Sequence, residues 1–428
     1  MKEPKFQTLS GMHDILPEDQ KYFNKIYQTV SEIADFYDFE KIETPVLEIA
    51  ELFSKGTGES TDVVKKEMYA FKTKGGDLLA LRPEYSPSIV RSYIENGMQN
   101  RPQPLKLWYW GPCFRHERPQ AGRYRQFWTF GFEIFGETSA VVDAQLIQIY
   151  YNILRELKLK NIVIEVNSIG DSNCKPYYKK LLANYLRSKS SSLCADCRVR
   201  IKENVLRVLD CKEEKCQPIK AQAPQILDHL CEECKAHFKD VLEFLDETGI
   251  QYNLNPYLVR GLDYYTRTVF EFFSQDPEKE GESKMAIGGG GRYDKLVKFL
   301  GGKDTPACGL STGIERIVDL MKKQDIKFEK PNEIEVFLAQ LGDLAKRKSL
   351  SLLEEFRKAN IKVSESFGRD SLKAQLSRAN KVGAKFTLIV GQKEALEGKI
   401  IIRDMATGNQ NLIKLENAVP EVKKRLRG

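Results

Sequence analysis

Four arginines and a glutamate fall within eleven residues, in Arg115-His116-Glu117-Arg118-Pro119-Gln120-Ala121-Gly122-Arg123-Tyr124-Arg125. A guanidinium presents a fixed fork of donors that matches phosphate oxygens, so several converging arginines suit a polyphosphate or a nucleic-acid backbone. Phe127, just beyond, is positioned to stack a purine. A solvated hairpin tip closed by ion pairs is the competing reading, and the aromatic strands on either side favour phosphate. In Gly288-Gly289-Gly290-Gly291-Arg292-Tyr293-Asp294 a glycine run follows a strand and lets backbone approach a ligand closely. No G-x-G-x-x-G opens a helix there, which argues against a dinucleotide fingerprint. A strand kept slim beneath a ligand is expected, with a flexible loop as the alternative. Leu258 to Glu271 carries Arg260, Asp263, Tyr264, Tyr265 and Arg267, more polar groups than a buried strand holds unless they line a site. Gly309-Leu310-Ser311-Thr312-Gly313-Ile314-Glu315-Arg316 sets small residues before a helix that carries a Glu–Arg pair.

Six of the nine cysteines lie between Cys194 and Cys234, as Cys194-x2-Cys197, Cys211-x4-Cys216 and Cys231-x2-Cys234. Met1-Lys2-Glu3-Pro4-Lys5 leads into no apolar run, so no secretory signal is expected and a metal is a better reading than disulfides. Two C-x2-C pairs suit tetrahedral zinc, which makes Cys194, Cys197, Cys231 and Cys234 the expected ligands of a structural zinc. The gap between those pairs exceeds that of common zinc ribbons, so the choice of four among the six stays open. Small core residues are the alternative. His229 and His237 flank the third pair and read as helix-surface residues, with a place among the metal ligands as the alternative.

The elements that must position these groups are visible as patterns. Pro17, Glu18 and Asp19 open a helix whose apolar face is Tyr22, Phe23, Ile26, Tyr27, Val30, Ile33 and Ala34. From there to about residue 136 the pattern is of strands separated by turns: 78–82, 105–110 and 126–135. The last two flank the arginine loop and are expected to pair antiparallel. A long helix carries Val142, Leu146, Ile149, Ile153, Leu154 and Leu157, and a strand follows at 162–166. Residues 171–250 are helical, rich in Lys and Cys, and read as an insertion. Strands return at 264–273 and 285–291, and a helix near 313–321 closes the unit. Beyond a polar linker, strand-like 334–339, 361–363 and 386–390 alternate with helical 344–358 and 372–380, as in a separate α/β domain.

At 428 residues, two to four domains are expected. Hydrophobic residues at 41% and charged residues at 30% exclude wholesale disorder. No apolar run nears the ~20 residues of a membrane helix, so a soluble, cytoplasmic protein is expected. The net charge of +7 permits a nucleic-acid partner without requiring one.

Together these segments resemble the class II aminoacyl-tRNA synthetases and, within that class, the histidyl-tRNA synthetases, over nearly the whole chain. Ile42-Glu43-Thr44-Pro45-Val46 is similar to the class's first, dimer-interface motif. Gly111-Pro112-Cys113-Phe114-Arg115-His116-Glu117 through Glu133 is similar to the second, and Gly309 to Arg316 to the third. The segments Arg260–Glu271 and Gly289–Asp294 resemble two signatures peculiar to the histidine family. The implied fold is α+β: an antiparallel sheet flanked by helices (1–325) with the helical, Cys-rich insertion (171–250), a linker (326–332) and a C-terminal α/β anticodon-binding domain (333–428).

The resemblance implies a homodimeric histidine–tRNA ligase that activates L-histidine with ATP, carried with Mg2+, and transfers it to tRNA(His). It implies that Arg115 and Arg260 flank the α-phosphate and also bind the histidine, Arg115 through its carboxylate, that Arg316 holds the γ-phosphate, that Glu117 meets the adenine amino group, and that Phe127 stacks on the ring. Glu133 and Tyr265 would read the imidazole, Glu84 and Ser86 would lie near the α-amino group, and Tyr85, Thr129 and Tyr264 would complete the histidine pocket. Gln120 and Arg125 would face the tRNA acceptor end. The chain departs from the family at Thr129, where Gln is usual, at Ser86, where Thr is usual, and at Tyr85, where a small residue is usual; Trp128 is also bulkier than expected. A synthetase-like regulatory subunit of histidine biosynthesis is the alternative. Such subunits lack the anticodon-binding domain and erode the arginines retained here.

Overall fold

The computed structural model describes residues 6–118, 122–275, 284–328, 334–368 and 371–427. The chain divides into two compact units, Met1–Ile326 and Lys327–Gly428. Among the described residues no helix is long and apolar enough to cross a membrane.

Helix α1 (Pro17–Phe36) opens the first unit, with Pro17 at a position that has no intrahelical N–H bond to lose and Glu18 and Asp19 in the first turn. Phe23, Ile26, Val30, Ile33 and Ala34 are buried, while Tyr22 is half-buried and Tyr27 exposed. β1 (Glu40–Lys41), β2 (Leu47–Ile49), α2 (Ala50–Thr57), β3 (Ala70–Lys72) and β4 (Leu78–Leu81) follow, and β2, β4 and β3 form a small antiparallel sheet. The expectation of strands alone up to residue 136 fails at α2 and again at α3 (Ser86–Glu95). Seven of the ten residues of α3 are buried, three of them serines, so its sequence has no apolar stripe to mark a helix.

The main sheet contains β5 (Leu105–Phe114), β6 (Gln126–Phe135), β7 (Ile162–Ser168), β8 (Asn253–Leu254), β9 (Thr266–Ser274), β10 (Met285–Arg292) and β11 (Ala307–Gly313). Its order is β1-β5-β6-β11-β10-β9-β7-β8, antiparallel from β5 to β7, with the two-residue β1 and β8 added parallel at the edges. The loop of arginines joins β5 to β6, which pair antiparallel as expected. Successive strand residues face opposite ways. Phe130 and Phe132 therefore pack with Tyr150 of α4 (Val141–Glu156) and with Phe39, whereas Thr129, Gly131 and Glu133 face the other side. Register aligns Glu271, Gly289, Ser311, Gly131 and Tyr109 in one row across five strands. The next row is Val269, Gly291, Gly309, Glu133 and Leu107. These rows hold four glycines and a serine, and they leave that face shallow.

The insertion folds as α5 (Lys175–Ser188), α6 (Ala195–Glu203), α7 (Gln217–Ala221) and α8 (Glu232–Glu247), packed through Tyr178, Leu182, Leu186, Val208, Leu209 and Ile226. His237 of α8 is not a surface residue: it is buried with Phe238 and Val241, and its Nε2 lies 3.5 Å from Asp143 of α4. Asp143 also pairs with the fully buried Arg292, whose guanidinium donates to the Glu137 and Ser139 carbonyls. α9 (Leu296–Phe299) and α10 (Ile314–Lys323) complete the unit.

The second unit contains β12 (Val336–Gln340), α11 (Asp343–Lys358), β13 (Val363–Glu365), α12 (Leu372–Lys381), β14 (Phe386–Val390), α13 (Gln392–Glu397), β15 (Lys399–Asp404), β16 (Gln410–Lys414) and α14 (Ala418–Arg427). β13, β12 and β14 are parallel, and β14, β15 and β16 antiparallel. Every residue of β12 and β14 is buried, which explains why all but Gln340 and Thr387 are apolar. The strand expected at 361–363 lies two residues later, and β15, β16, α13 and α14 were not anticipated.

Candidate active site

One cleft on the shallow face of the main sheet gathers residues from seven segments. Arg115, Arg123, Arg260 and Arg316 line it together with Glu84, Glu117 and Glu271. The glycine run is the middle of β10, and its close packing explains the residue type. A Cβ on Gly289 would stand 2.5 Å from the Phe270 carbonyl and 2.9 Å from Arg260. A Cβ on Gly309 would sit 1.6 Å from a Glu133 oxygen.

Each arginine is held by a different device. Arg115 follows the last residue of β5, and its Nε donates to the Pro83 carbonyl at 2.9 Å. Its guanidinium lies 5.6 Å from the Phe127 ring centre. Glu117 stands 3.9 Å from Arg115 and 3.5 Å from Arg123. Arg260 pairs with Glu271 at 2.8 Å; burial opposes its charge, but Glu271 more than restores it and the guanidinium is held above its ordinary range. Arg316, in the first turn of α10, donates to the Ala286 carbonyl at 2.6 Å and the Gly122 carbonyl at 3.3 Å. Burial and the neighbouring Arg123 lower its affinity for its proton. Glu117 and Glu271 offset this only in part, so an anion would complete the neutralisation of its charge.

Carboxyls and phenols share the cleft with the arginines. Glu84 accepts from the Thr57 hydroxyl and, at 2.7 Å, from the Tyr264 hydroxyl. Burial pushes its carboxyl above the usual range despite both donors. Glu133 lies behind Ser86, which donates to it at 2.7 Å, and it also accepts from Tyr293. Burial pushes Glu133 up to about 8, again against two hydroxyl donors. Tyr265 lines the same cleft, with its phenol raised to about 12 by burial. Two protonatable carboxyls thus stand near hydroxyls that reorient freely, a set able to receive either donors or acceptors of a small polar ligand.

Tyr85, Ser86, Phe127 and Thr129 also line the cleft. Tyr85 stacks on Tyr109 at 4.1 Å beneath the Arg82 guanidinium. The Thr129 hydroxyl turns sideways, donating to the Thr312 carbonyl at 2.8 Å and lying 2.9 Å from the exposed Ser311 hydroxyl. Trp128 lies on the other side of β6 beside Trp110, so its bulk does not enter the cleft, and its backbone N–H donates to the Glu315 carboxylate. Arg125 does not line the cleft; its guanidinium donates to the Ser10 and Glu117 carbonyls. Gln120 lies outside the described residues.

The expected metal set is not assembled. Cys194 and Cys197 cluster with Cys211 and Cys216, whereas Cys231 and Cys234 cluster with Asp171 and Cys174. The two C-x2-C pairs cap different helices, α6 and α8, and each finds partners nearer in the fold than the other. Residues not anticipated include Tyr293, which holds Glu133, Thr57, which holds Glu84, and Glu271, which holds Arg260. Glu271 and Tyr293 lay inside the polar and glycine-rich segments; nothing in the sequence marks Thr57.

Comparison with known proteins bears on the chain as a whole. A family model described as histidyl-tRNA synthetase matches residues 11–317, and one described as an anticodon binding domain matches 335–425. A protein of Dehalococcoides mccartyi named histidine–tRNA ligase is 44% identical over 421 residues, covering 98% of this chain and 100% of its own length. One of Halothermothrix orenii with the same name is 42% identical over 414 residues, covering 97% and 98% respectively. The crystal structure of apo histidyl-tRNA synthetase from S. aureus superimposes with a TM-score of 0.81 at 34% identity, over 98% of this chain and 100% of that one. Agreement of this extent, in sequence and in fold, is that of common membership: this chain belongs to the histidyl-tRNA synthetase family.

Proposed function

We propose that the cleft joins L-histidine to ATP and then passes the histidyl group to tRNA(His), the histidine–tRNA ligase reaction of the family. The observation that carries the reading is the convergence of Arg115, Arg260 and Arg316 in one cleft with Glu84, Tyr264 and Tyr265, with Glu133 behind Ser86 in its wall. ATP enters with Mg2+ as substrate. Its adenine stacks on Phe127 with its amino group toward Glu117, and its γ-phosphate meets Arg316. Histidine is held through its α-amino group by Glu84 and Ser86, and through its imidazole by Glu133 and Tyr265. Its carboxylate oxygen attacks the α-phosphorus, the bond to the β-phosphate oxygen breaks, and pyrophosphate departs. Arg115 and Arg260 stabilise charge growing on the α-phosphate, and preorganised cations are the expected main source of rate. In the second step the tRNA terminal hydroxyl attacks the acyl carbonyl and AMP leaves, with Arg125 and Gln120 toward the acceptor end.

The departures from the family are accommodated. Thr129 is too short to reach an amino group, and its hydroxyl is engaged by β11, so Ser311 beside it takes the role of polar contact. Hydrogen-bond selection of the imidazole rejects isosteres strongly enough to need no editing. A homodimer is supported by Leu47, Ile49, Phe71 and Leu78, exposed on the small β2-β4-β3 sheet that follows Pro45. The regulatory-subunit reading is disfavoured by the anticodon-binding match and by the three arginines.

Amino-acid-dependent exchange of pyrophosphate into ATP tests the proposal, run separately with each of the twenty amino acids. Exchange with histidine alone is expected. Exchange with none, with tRNA supplied, would overturn it.

A further inference from the structure

We infer that Cys194, Cys197, Cys211 and Cys216 form a four-thiolate zinc site that staples the insertion and, through it, positions the wall of the cleft that carries Arg260. The four residues are buried, and their sulfurs lie within 4.8 Å of one another. A tetrahedron of thiolates about zinc has edges of about 3.8 Å, from a Zn–S bond of about 2.3 Å. Cys194 and Cys211 sulfurs are 3.8 Å apart, and those of Cys197 and Cys216 are 4.0 Å apart. Backbone N–H groups point at the sulfurs: Cys197 N–H donates to Cys194 Sγ at 3.3 Å, and Cys194 N–H to Cys216 Sγ at 3.4 Å. Donors aimed at sulfur suit thiolates, and cysteines serving as small core residues have no reason to receive them. Lys220, donating to the Cys211 carbonyl at 2.9 Å, sets a cation beside a centre whose four thiolates and one Zn2+ sum to −2. The second cysteine group differs, because Asp171 there already accepts from the Asn173 N–H and faces Arg267 at 3.5 Å.

The segment between Cys197 and Cys211 reaches the cleft. Asn204 donates to Asp263 at 2.5 Å, and Arg207 donates to the Gly261 carbonyl at 3.2 Å and pairs with Asp62 at 2.9 Å. Glu203 pairs with Lys65 at 2.7 Å. Gly261 and Asp263 flank the cleft residues Leu262 and Tyr264 and adjoin Arg260. The metal therefore fixes the ends of a short helical segment whose middle holds the loop 260–264. This coupling rests on the function proposed above; the metal site does not.

Zinc in the purified full-length protein, measured by mass spectrometry, should be at least one atom per chain, and Cys211→Ser and Cys216→Ser should each lose one. Cobalt substituted into the wild type should give the intense visible absorption of a tetrahedral four-thiolate centre, which keeps the test valid if the variants fail to fold. Absence of zinc, zinc undiminished in both variants, or a denatured protein titrating four fewer thiols than its nine cysteines, as two disulfides would give, overturns the site. In variants that fold, kcat in pyrophosphate exchange should fall by up to about a hundredfold with KM for histidine changed less, as for a displaced Arg260. Zinc loss with both constants unchanged would refute the coupling and leave the metal site standing.

Discussion

Glu133→Gln should make the free protein more stable at neutral pH while crippling its use of histidine. The side chain is 1% exposed and accepts hydrogen bonds from Ser86 and Tyr293. Burial raises its carboxyl from an ordinary 4.5 to about 8, so the folded protein holds a proton at pH 7 that the unfolded chain has released. The contribution of this protonated carboxyl is therefore fully present below pH 4.5 and is lost as pH rises toward 8. At pH 7 the loss is about 3 kcal/mol, from 2.5 pH units at about 1.36 kcal/mol each. Glutamine has no proton to take up. Over the 326 residues of the first unit the difference corresponds to roughly 5 °C in melting temperature, at about 2.1 cal/mol/K per residue. Scanning calorimetry of both proteins from pH 5 to 9 should show their separation widening up to pH 8 and constant above it. When imidazole N–H meets Glu133, the carboxylate form is favoured, so histidine binding at pH 7 should release protons, seen calorimetrically in buffers of different ionisation heat. The variant loses that charged hydrogen bond, worth about 1.5–3 kcal/mol, and kcat/KM for histidine should fall about ten- to a hundredfold. Parallel melting profiles, or unchanged histidine-dependent exchange, would refute the reasoning.

Other expectations follow from the same geometry. Arg260→Gln should lower kcat in pyrophosphate exchange by about a hundred- to a thousandfold, since it removes a preorganised cation from the reacting phosphate; a change confined to KM would count against that role. Gly309→Ala sets a methyl 1.6 Å from a Glu133 oxygen and should reduce the melting temperature sharply, whereas Gly313→Ala, with nothing within 4 Å of the new carbon, should melt as the wild type does. Affinity for tRNA should fall steeply between 50 and 300 mM salt as counterion release weakens, and a flat profile would argue against a backbone-led interface.

Aromatic density made β6 legible to the residue, at Gln126–Phe135, and the alternation of its side chains sets one face against α4 and the other along a cleft. The same alternation carries information that composition does not: Thr129, Gly131 and Glu133 share a parity, and Trp128 has the other, so parity alone puts the tryptophan outside the cleft. Helix α3 was illegible for the opposite reason. Buried on most sides and built on serines, it lacks the polar stripe that distinguishes a helix from a run of turns. The site was legible where chemistry demands unusual residue types, as with the arginines and the glycine run, and illegible where long-range packing chooses the partner. Tyr293 meets Glu133 across 160 residues, and Thr57 meets Glu84 across 27, each through a hydroxyl that could have come from many positions.

The cysteines carry this distinction furthest. Spacing marks two C-x2-C turns, each able to offer two thiolates, but it says nothing of which turns meet. Cys211-x4-Cys216, the irregular pair, completes the first cluster because the short helical segments between Cys197 and Cys211 fold back on the start of α6. That fold-back also delivers Asn204 and Arg207 to the loop beside Arg260. The pairing of cysteines and the positioning of an arginine in the cleft are thus one structural event, and substituting a buried thiol in the insertion should be felt at the phosphate side of the reaction.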